Sequence, residues 1–288
     1  MLLEDIRLYA LPYGRGTEDG FRVTIEPDHD KTQELILNAL PSSPYRHYRL
    51  SEAFRGYVES ALWHLARGHL YLEIEYFRPA DSPASAPVAF QVKILDADLV
   101  QRRFGKHYYW VPEPTLEYGK TGWSRERLDP NTLIVVTLPR SARRTLDRAI
   151  RAIKVADQGF EVMQEFTLGR HGVDSGFDLN TYRRNTNDLV LRATREIGWA
   201  GRGLFTDDLP GPMKAWRSIQ FMRFVTRLRE LAFHGLQQVI GVAAAKIGFE
   251  ADLSLSGVVE ETDLDQLEKD LREGTRPISE ILVPRASK

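Results

Sequence analysis

The chain has 288 residues and not one cysteine. Disulfides, zinc–thiolate sites and cysteine nucleophiles are therefore excluded, and the composition suits a reducing compartment. No apolar run approaches the roughly 18 residues of a membrane span, so none is expected. The opening MLLEDIRLYALPYGRG lacks a basic segment followed by an apolar block, so no secretory leader is expected. Phosphate-cradling motifs are missing: there is no G-x-x-x-x-G-K-[ST], and no G-x-G-x-x-G after a strand. Gly201-Arg202-Gly203 has no strand before it, so it is a flexible spot rather than a nucleotide fingerprint. No G-x-S-x-G and no H-E-x-x-H occur, and the seven histidines are scattered. Asp28-His29-Asp30 looks like a scrap of metal site, but three adjacent side chains point in different directions and no partner cluster follows.

Net charge is also nearly absent, at −1, yet its layout is uneven. Residues 140 to 229 hold 17 Lys/Arg against 10 Asp/Glu, and the tail from 250 onward holds 10 acids against 5 bases. A basic middle between acidic flanks points to a localised anionic partner or to a charge match between subunits.

What is present is organised around 213 to 247, MKAWRSIQFMRFVTRLRELAFHGLQQVIGVAAAKI. It contains no proline, Pro212 suits its first turn, and Gly248 is the expected stop. Phe221, Val225, Leu228, Ala232, Val239 and Ala243 recur at steps of three and four, which predicts one long amphipathic helix. Arg217, Gln220, Arg223 and Arg227 are assigned to another face.

In chain order, 1 to 50 is read as strand-and-loop material, with IRLYAL and FRVTIEP alternating weakly. SEAFRGYVESALWHLARG reads as a helix burying Phe54, Val58, Ala61, Leu62 and Leu65. HLYLEIEYF and VAFQVKIL alternate and are expected to pair as an antiparallel hairpin with a long Pro/Ala/Ser loop. DADLVQRRF suits a short helical turn and KHYYWVP a strand; PEPTLEYGKTGWSRERLDP reads as loop, and TLIVVTLP as a buried strand. From Ser141 the pattern turns helical, with Arg140, Arg143, Arg144 and Arg148 in the first turns. Cations there oppose the helix dipole, so something outside the helix is expected to favour them. A second helix from 179 carries Arg183, Arg184, Arg192 and Arg195. The loop 199 to 212 then sets Trp199, Leu204 and Phe205 among glycines and prolines, including Gly201 and Gly203. A strand at ADLSLSGVV, an acidic helix ending at Gly274 and a short tail close the chain.

One pattern has catalytic overtones. Glu73 and Glu75 lie on one expected strand, and Gln91-Val92-Lys93 on the next, an arrangement that resembles the core of PD-(D/E)xK nucleases, which use Mg²⁺. Glutamine stands where a carboxylate is usual, and cross-strand charge pairing is the simpler reading.

The order of elements carries a second resemblance. An α+β wing (1–140) precedes two basic stem-like helices (141–198) with a short clip-like connector (167–178). A tunnel-like loop (199–212), a long wing helix (213–249) and a small crown-like α/β segment (250–288) follow. ALWHLARGHLYLEIEYF, AFQVKILDADLVQRRFGKHYYWVP and DLDQLEKDLREGTRPISEI are also similar in layout to segments of the portal proteins of tailed bacteriophages. The resemblance implies an α+β portal-like fold and a homo-oligomeric ring, commonly a dodecamer, at the capsid vertex of a virion. It implies double-stranded DNA passing through the ring without sequence readout during packaging and ejection. The implied partners are the capsid protein, the packaging terminase and a head–tail adaptor; the ring has no cofactor and is not an enzyme. On this reading Arg183, Arg184, Arg192, Arg195 and Arg202 face the DNA channel. Trp199, Gly201, Gly203, Leu204 and Phe205 form the tunnel loop. Arg143, Arg144, Arg148, Arg217, Arg223 and Arg227 meet neighbouring subunits. A Mg²⁺-dependent nuclease and a non-enzymatic scaffold or adaptor are the alternatives.

Overall fold

The computed structural model describes residues 1–12, 20–41, 49–81, 85–113, 122–169, 179–201 and 209–282; side chains at 157–169, 179–180, 182–183 and 282 lie outside the description. The elements are α1 (Leu2–Ala10), β1 (Arg22–Glu26), α2 (Asp30–Ala39), α3 (Leu50–Ala66), β2 (His69–Phe77) and β3 (Ala89–Leu95). A 3₁₀ turn (Ala97–Leu99) leads into β4 (Val100–Arg103), β5 (Lys106–Glu113), β6 (Gly122–Arg127) and β7 (Leu133–Thr137). Then come α4 (Arg140–Gly169), α5 (Leu179–Ala193), α6 (Gly211–Ile247), β8 (Asp252–Ser256), α7 (Glu261–Glu273) and α8 (Ile278–Leu282). The protein is a mixed α/β molecule with small antiparallel sheets and one long helix.

The spine is α6. Its 37 residues span about 55 Å at 1.5 Å per residue. Phe221, Val225, Leu228, Ala232, Leu236, Val239 and Ala243 are buried along one stripe, and the helix stops at Gly248 as its sequence predicts. The stripe packs on α1, α3 and the sheet β3-β2-β7. Leu70, Leu72 and Ile74 of β2 point into this core, as strict alternation requires. From α3, Phe54, Val58, Ala61, Leu62 and Leu65 close it, and the Tyr57 hydroxyl donates to Ala232 O at 2.8 Å.

A second sheet, β4-β5-β6, lies over the other face of the first, joined by Tyr71, Leu95, Leu128 and Leu133. The strand β6 falls in a stretch read as loop; Trp123 to Arg127 supply a solvent-facing alternation with little apolar content, which weakens the strand signal. The reading of 1 to 50 as strand and loop is corrected at two places. Leu2, Ile6 and Ala10 are buried at helical spacing in α1, and Thr32, Ile36 and Ala39 in α2. The apparent alternation of IRLYAL was a fragment of the 3.6-residue period. The acidic C-terminal segment does not stand apart. Its strand β8 pairs antiparallel with β1, and Leu264 and Ile281 of α7 and α8 pack on Ala215 and Ile219 of α6.

Candidate nucleic-acid interface

The helix α4 packs chiefly against α5, through Leu146, Ala149 and Ala156 on one side and Val190 and Ile197 on or just after the other. At 100° per residue these apolar positions take one flank of α4 and leave the opposite flank to cations. Arg140, Arg144, Arg148 and Arg151 recur at steps of four and three, with Arg143 and Lys154 beside them, and all six are exposed. Asp147 is the single acid among them over the helix's first four turns. On α5, Arg184 and Arg192 are exposed, as is Arg195 in the turn that follows. The arginines of both helices thus belong to one helical pair, with its cations turned to solvent.

Among the described residues, two of these cations have acids within their own chain. Arg148 lies 3.5 Å from Glu196, whose other oxygen accepts from Thr145 at 2.6 Å, and Arg143 lies 3.9 Å from Asp147. All four charged partners are well exposed, so these pairs leave Arg143 and Arg148 able to meet another molecule. Arg144 is exposed and pairs with no carboxylate among the described residues.

At the foot of the pair sits a buried junction. The carbonyls at the C-terminal end of α5 have no partner within the helix and must find one outside it. Arg217 of α6 supplies it: both terminal nitrogens reach Leu191 O, at 3.1 and 2.8 Å, and Nη2 also reaches Thr194 Oγ1 at 2.9 Å and Trp199 O at 3.1 Å. A cation at this end also matches the helix dipole. Burial, then the nearby Arg195, pushes Arg217 below the ordinary arginine range. The Trp199 indole donates to Asp5 Oδ2 at 2.8 Å, which ties α1 to the same point. Thr194 completes it, with its hydroxyl 2.6 Å from Trp199 O.

This arrangement corrects several expected roles. Trp199 is 3% exposed, so it is an anchor of the junction and not an apolar side chain offered to a passing duplex. Arg217 is 5% exposed and makes bonds inside its own chain rather than to a neighbour. Its position was legible: Arg217, Phe221 and Val225 follow at steps of four, so it lies on the apolar stripe and not on the polar face assigned to it. Arg223 also turns inward, to Glu261 (2.9 Å), Asp265 (2.8 Å) and Glu268 (2.9 Å) of α7. Burial alone would lower its pKa, but the bonds to Glu268 and its neighbours raise it above the ordinary value. Arg223 thus clamps the acidic helix to α6 within one subunit. Arg227 also reaches Glu261, at 3.0 Å, but its side chain is 64% exposed, so this pair leaves it able to meet another molecule. Gly201 is half-buried. The side chain of Arg183, and Arg202, Gly203, Leu204 and Phe205, lie outside the described residues.

Sequence reasoning passed over Arg229, buried on the same stripe and donating to Val259 O at 2.7 Å and Ala10 O at 3.3 Å. The signal was its phase, one residue from Leu228 and three from Ala232. Beside Arg217 an open cleft of about 620 Å³ lies between α5 and the start of α6, where Arg192, Arg195 and Arg217 outnumber Asp188 and Trp216 supplies an aromatic wall.

No family model, curated protein or solved structure matches this chain.

The Glu/Lys pattern is brought together as expected. Glu73 faces Lys93 and Glu75 faces Gln91 across β2 and β3, and Lys93 Nζ lies 2.7 Å from Glu75 Oε2. Burial, only partly offset by Lys93, raises the Glu73 pKa. The Glu75–Lys93 pair is about half exposed, which is the setting of an ordinary cross-strand ion pair. Among the described residues no group of three or more His, Asp or Glu is placed to share a metal ion. Lys93→Ala is expected to change unfolding free energy by less than about 1 kcal/mol. Incubation of wild type and variant with plasmid DNA and Mg²⁺ is expected to give no difference in cutting. Cutting by the wild type that is abolished in the variant would replace the interface reading with the nuclease one.

Proposed function

We propose that this chain is a portal-like ring subunit whose cationic helical pair contacts duplex DNA passing along the ring axis. Capsid protein, packaging terminase and a head–tail adaptor are its proposed partners, at the portal vertex of a virion. The observation that carries the reading is the placement of α4 and α5. They form an amphipathic pair with cations on the outward side, capped at its foot by a buried arginine from a helix of 37 residues. Contacts by Arg184, Arg192 and Arg195 to phosphates would act through charge and carry no sequence readout. Exposed cations suit that role, because a translocating duplex must be attracted without being held. The element order, wing to paired helices to loop to long helix, supports the same reading.

The test is native mass spectrometry and negative-stain imaging on one purified sample. The expected result is a closed ring of about a dozen copies with a central hole wide enough for a DNA duplex. A monomer or dimer at every protein and salt concentration tried would overturn the proposal. An assembly without a channel would point instead to a scaffold. In a ring, Arg184→Gln with Arg192→Gln is expected to lower the salt dependence of duplex binding by about 0.9 in log–log slope for each phosphate that is no longer neutralised.

A further inference from the structure

The sheet β4-β5-β6 has two unlike faces. Its inner face turns Val100 and Tyr109 onto the Tyr71–Leu95–Leu128–Leu133 cluster, and His107 onto Tyr71, the ring centroids 5.9 Å apart. Cross-strand partners share a face, so the register assigns the outer one. It aligns Tyr108 with Gln101 and Arg127, Trp110 with Arg125, Pro112 with Trp123, and Arg103 with Lys106. Three aromatics and four cations therefore share this face, and none of its paired residues is acidic. Every one of them is exposed or half-exposed, with Trp123 at 50%. The guanidinium of Arg125 lies over the Tyr108 ring, 4.7 Å from its centroid, a cation–π pair on this face.

The hairpin tip adds an independent observation. Between β4 and β5 only Phe104 and Gly105 turn the chain, both with positive φ (51° and 74°). Such two-residue turns favour Asn or Asp at the first position, and a bulky residue there is strained. Phe104 is nonetheless present and 89% exposed, with the Arg103 guanidinium 5.3 Å from its ring centroid. A strained aromatic so exposed, beside a cationic and aromatic face, buries little apolar area and is a reason to look for a partner there.

We infer that the outer face of β4-β5-β6 binds single-stranded nucleic acid, with bases stacked on Trp110, Trp123 and the Arg125–Tyr108 pair and phosphates met by Arg103, Lys106 and Arg127. Charge complementarity requires an anion, and four cations on one face fit a polyanion. The aromatic surface selects among polyanions. A single strand presents π-faces for stacking, whereas a duplex hides its bases inside the helix. This site is separate from α4 and α5 and does not depend on ring formation.

The test is fluorescence anisotropy with the full-length protein and labelled 16-mers: oligo-dT, oligo-U and a DNA duplex, with polyglutamate as an acidic-polypeptide competitor. Both single strands are expected to bind tighter than the duplex, and the dT and U arms show whether the sugar matters. Trp123→Ala is expected to weaken single-strand binding about tenfold while leaving the salt slope unchanged. Arg127→Gln is expected to reduce that slope by about 0.7. Phe104→Asn is expected to weaken binding several-fold while holding or raising the melting temperature, a combination that a purely structural role for Phe104 cannot produce. Equal binding of duplex and single strand, competition by polyglutamate as strong as by oligo-dT, or unchanged affinity in Trp123→Ala would each overturn the inference.

Discussion

Gly198→Ala is expected to cost about 3 kcal/mol of stability, more than most substitutions at a surface turn. Gly198 has φ +80°, where an L side chain is disfavoured by about 1–2 kcal/mol. It also lies directly against α6. An added Cβ would stand 2.5 Å from Phe221 N and 2.7 Å from Gln220 Cβ, and closer still to Arg217 O. Two of these neighbours are backbone atoms of a helix packed along its length, so they cannot move aside cheaply. Overpacking of this kind costs about 1–3 kcal/mol. The matched control is Gly241→Ala on the same helix, at an exposed position where an added Cβ meets nothing within 4 Å. That change is expected to stabilise by about 0.5–1 kcal/mol through helix propensity. Denaturant unfolding of the three proteins measures both. A Gly198→Ala protein as stable as wild type would mean that the turn after α5 does not press on α6 as described.

Arg217→Ala carries the second large effect, about 3 kcal/mol. The guanidinium is the capping group of α5, and its removal strands Leu191 O and weakens the hold on Trp199 O at a largely buried point. Hydrogen bonds from a charged donor contribute about 1.5–3 kcal/mol each, and a stranded buried acceptor costs about 1–3. The desolvation of the guanidinium itself offsets part of this, since burial already lowers its pKa. Arg217→Lys is expected to recover only a fraction, because a single ammonium cannot reproduce the planar fork that reaches the end of α5 and Trp199 together. A readout beyond stability is hydrogen exchange of α5. Its last turn is expected to lose protection in Arg217→Ala while β2 keeps its own. If the variant retained wild-type stability and exchange, Arg217 would be no more than a buried spectator, and the junction would owe its order to Asp5 and Trp199 alone.

These two changes act on the same point, the place where the cationic pair meets the long helix. In the proposed ring, that junction would set the direction in which α4 and α5 project. Arg217→Ala therefore separates structure from function. Loss of stability tests the capping geometry, whereas loss of ring assembly in a still-folded protein would test the proposed function.

Much of the architecture was legible in the sequence because its period survives in the text. The 3.6-residue stripe of α6, the alternation of β2 and β3 and the heptad-like face of α3 each repeat often enough to exceed noise. The elements α1, α2 and β6 were not, since their few apolar positions fit helix and strand patterns alike or, in β6, supply almost no apolar signal. The cationic character of α4 and α5 was likewise readable, because charge on an exposed face needs no tertiary partner to be recognised.

The destination of individual arginines was decided only by tertiary structure. Phase sets Arg217 on the apolar stripe of α6 and Arg223 and Arg227 off it, but it does not say what any of the three meets. Arg217 caps another helix in the interior, Arg223 holds the acidic helix α7, and Arg227 pairs with Glu261 at the surface. Trp199, set among glycines, reads as an offered side chain but is fixed by the Asp5 carboxylate, 194 residues away. The outer face of β4-β5-β6 exists only once three separate segments are in register. Local pattern reports which side chains share a face. Which faces meet, and which remain open to a partner, depends on contacts between residues far apart in the chain, and those the sequence by itself leaves undetermined.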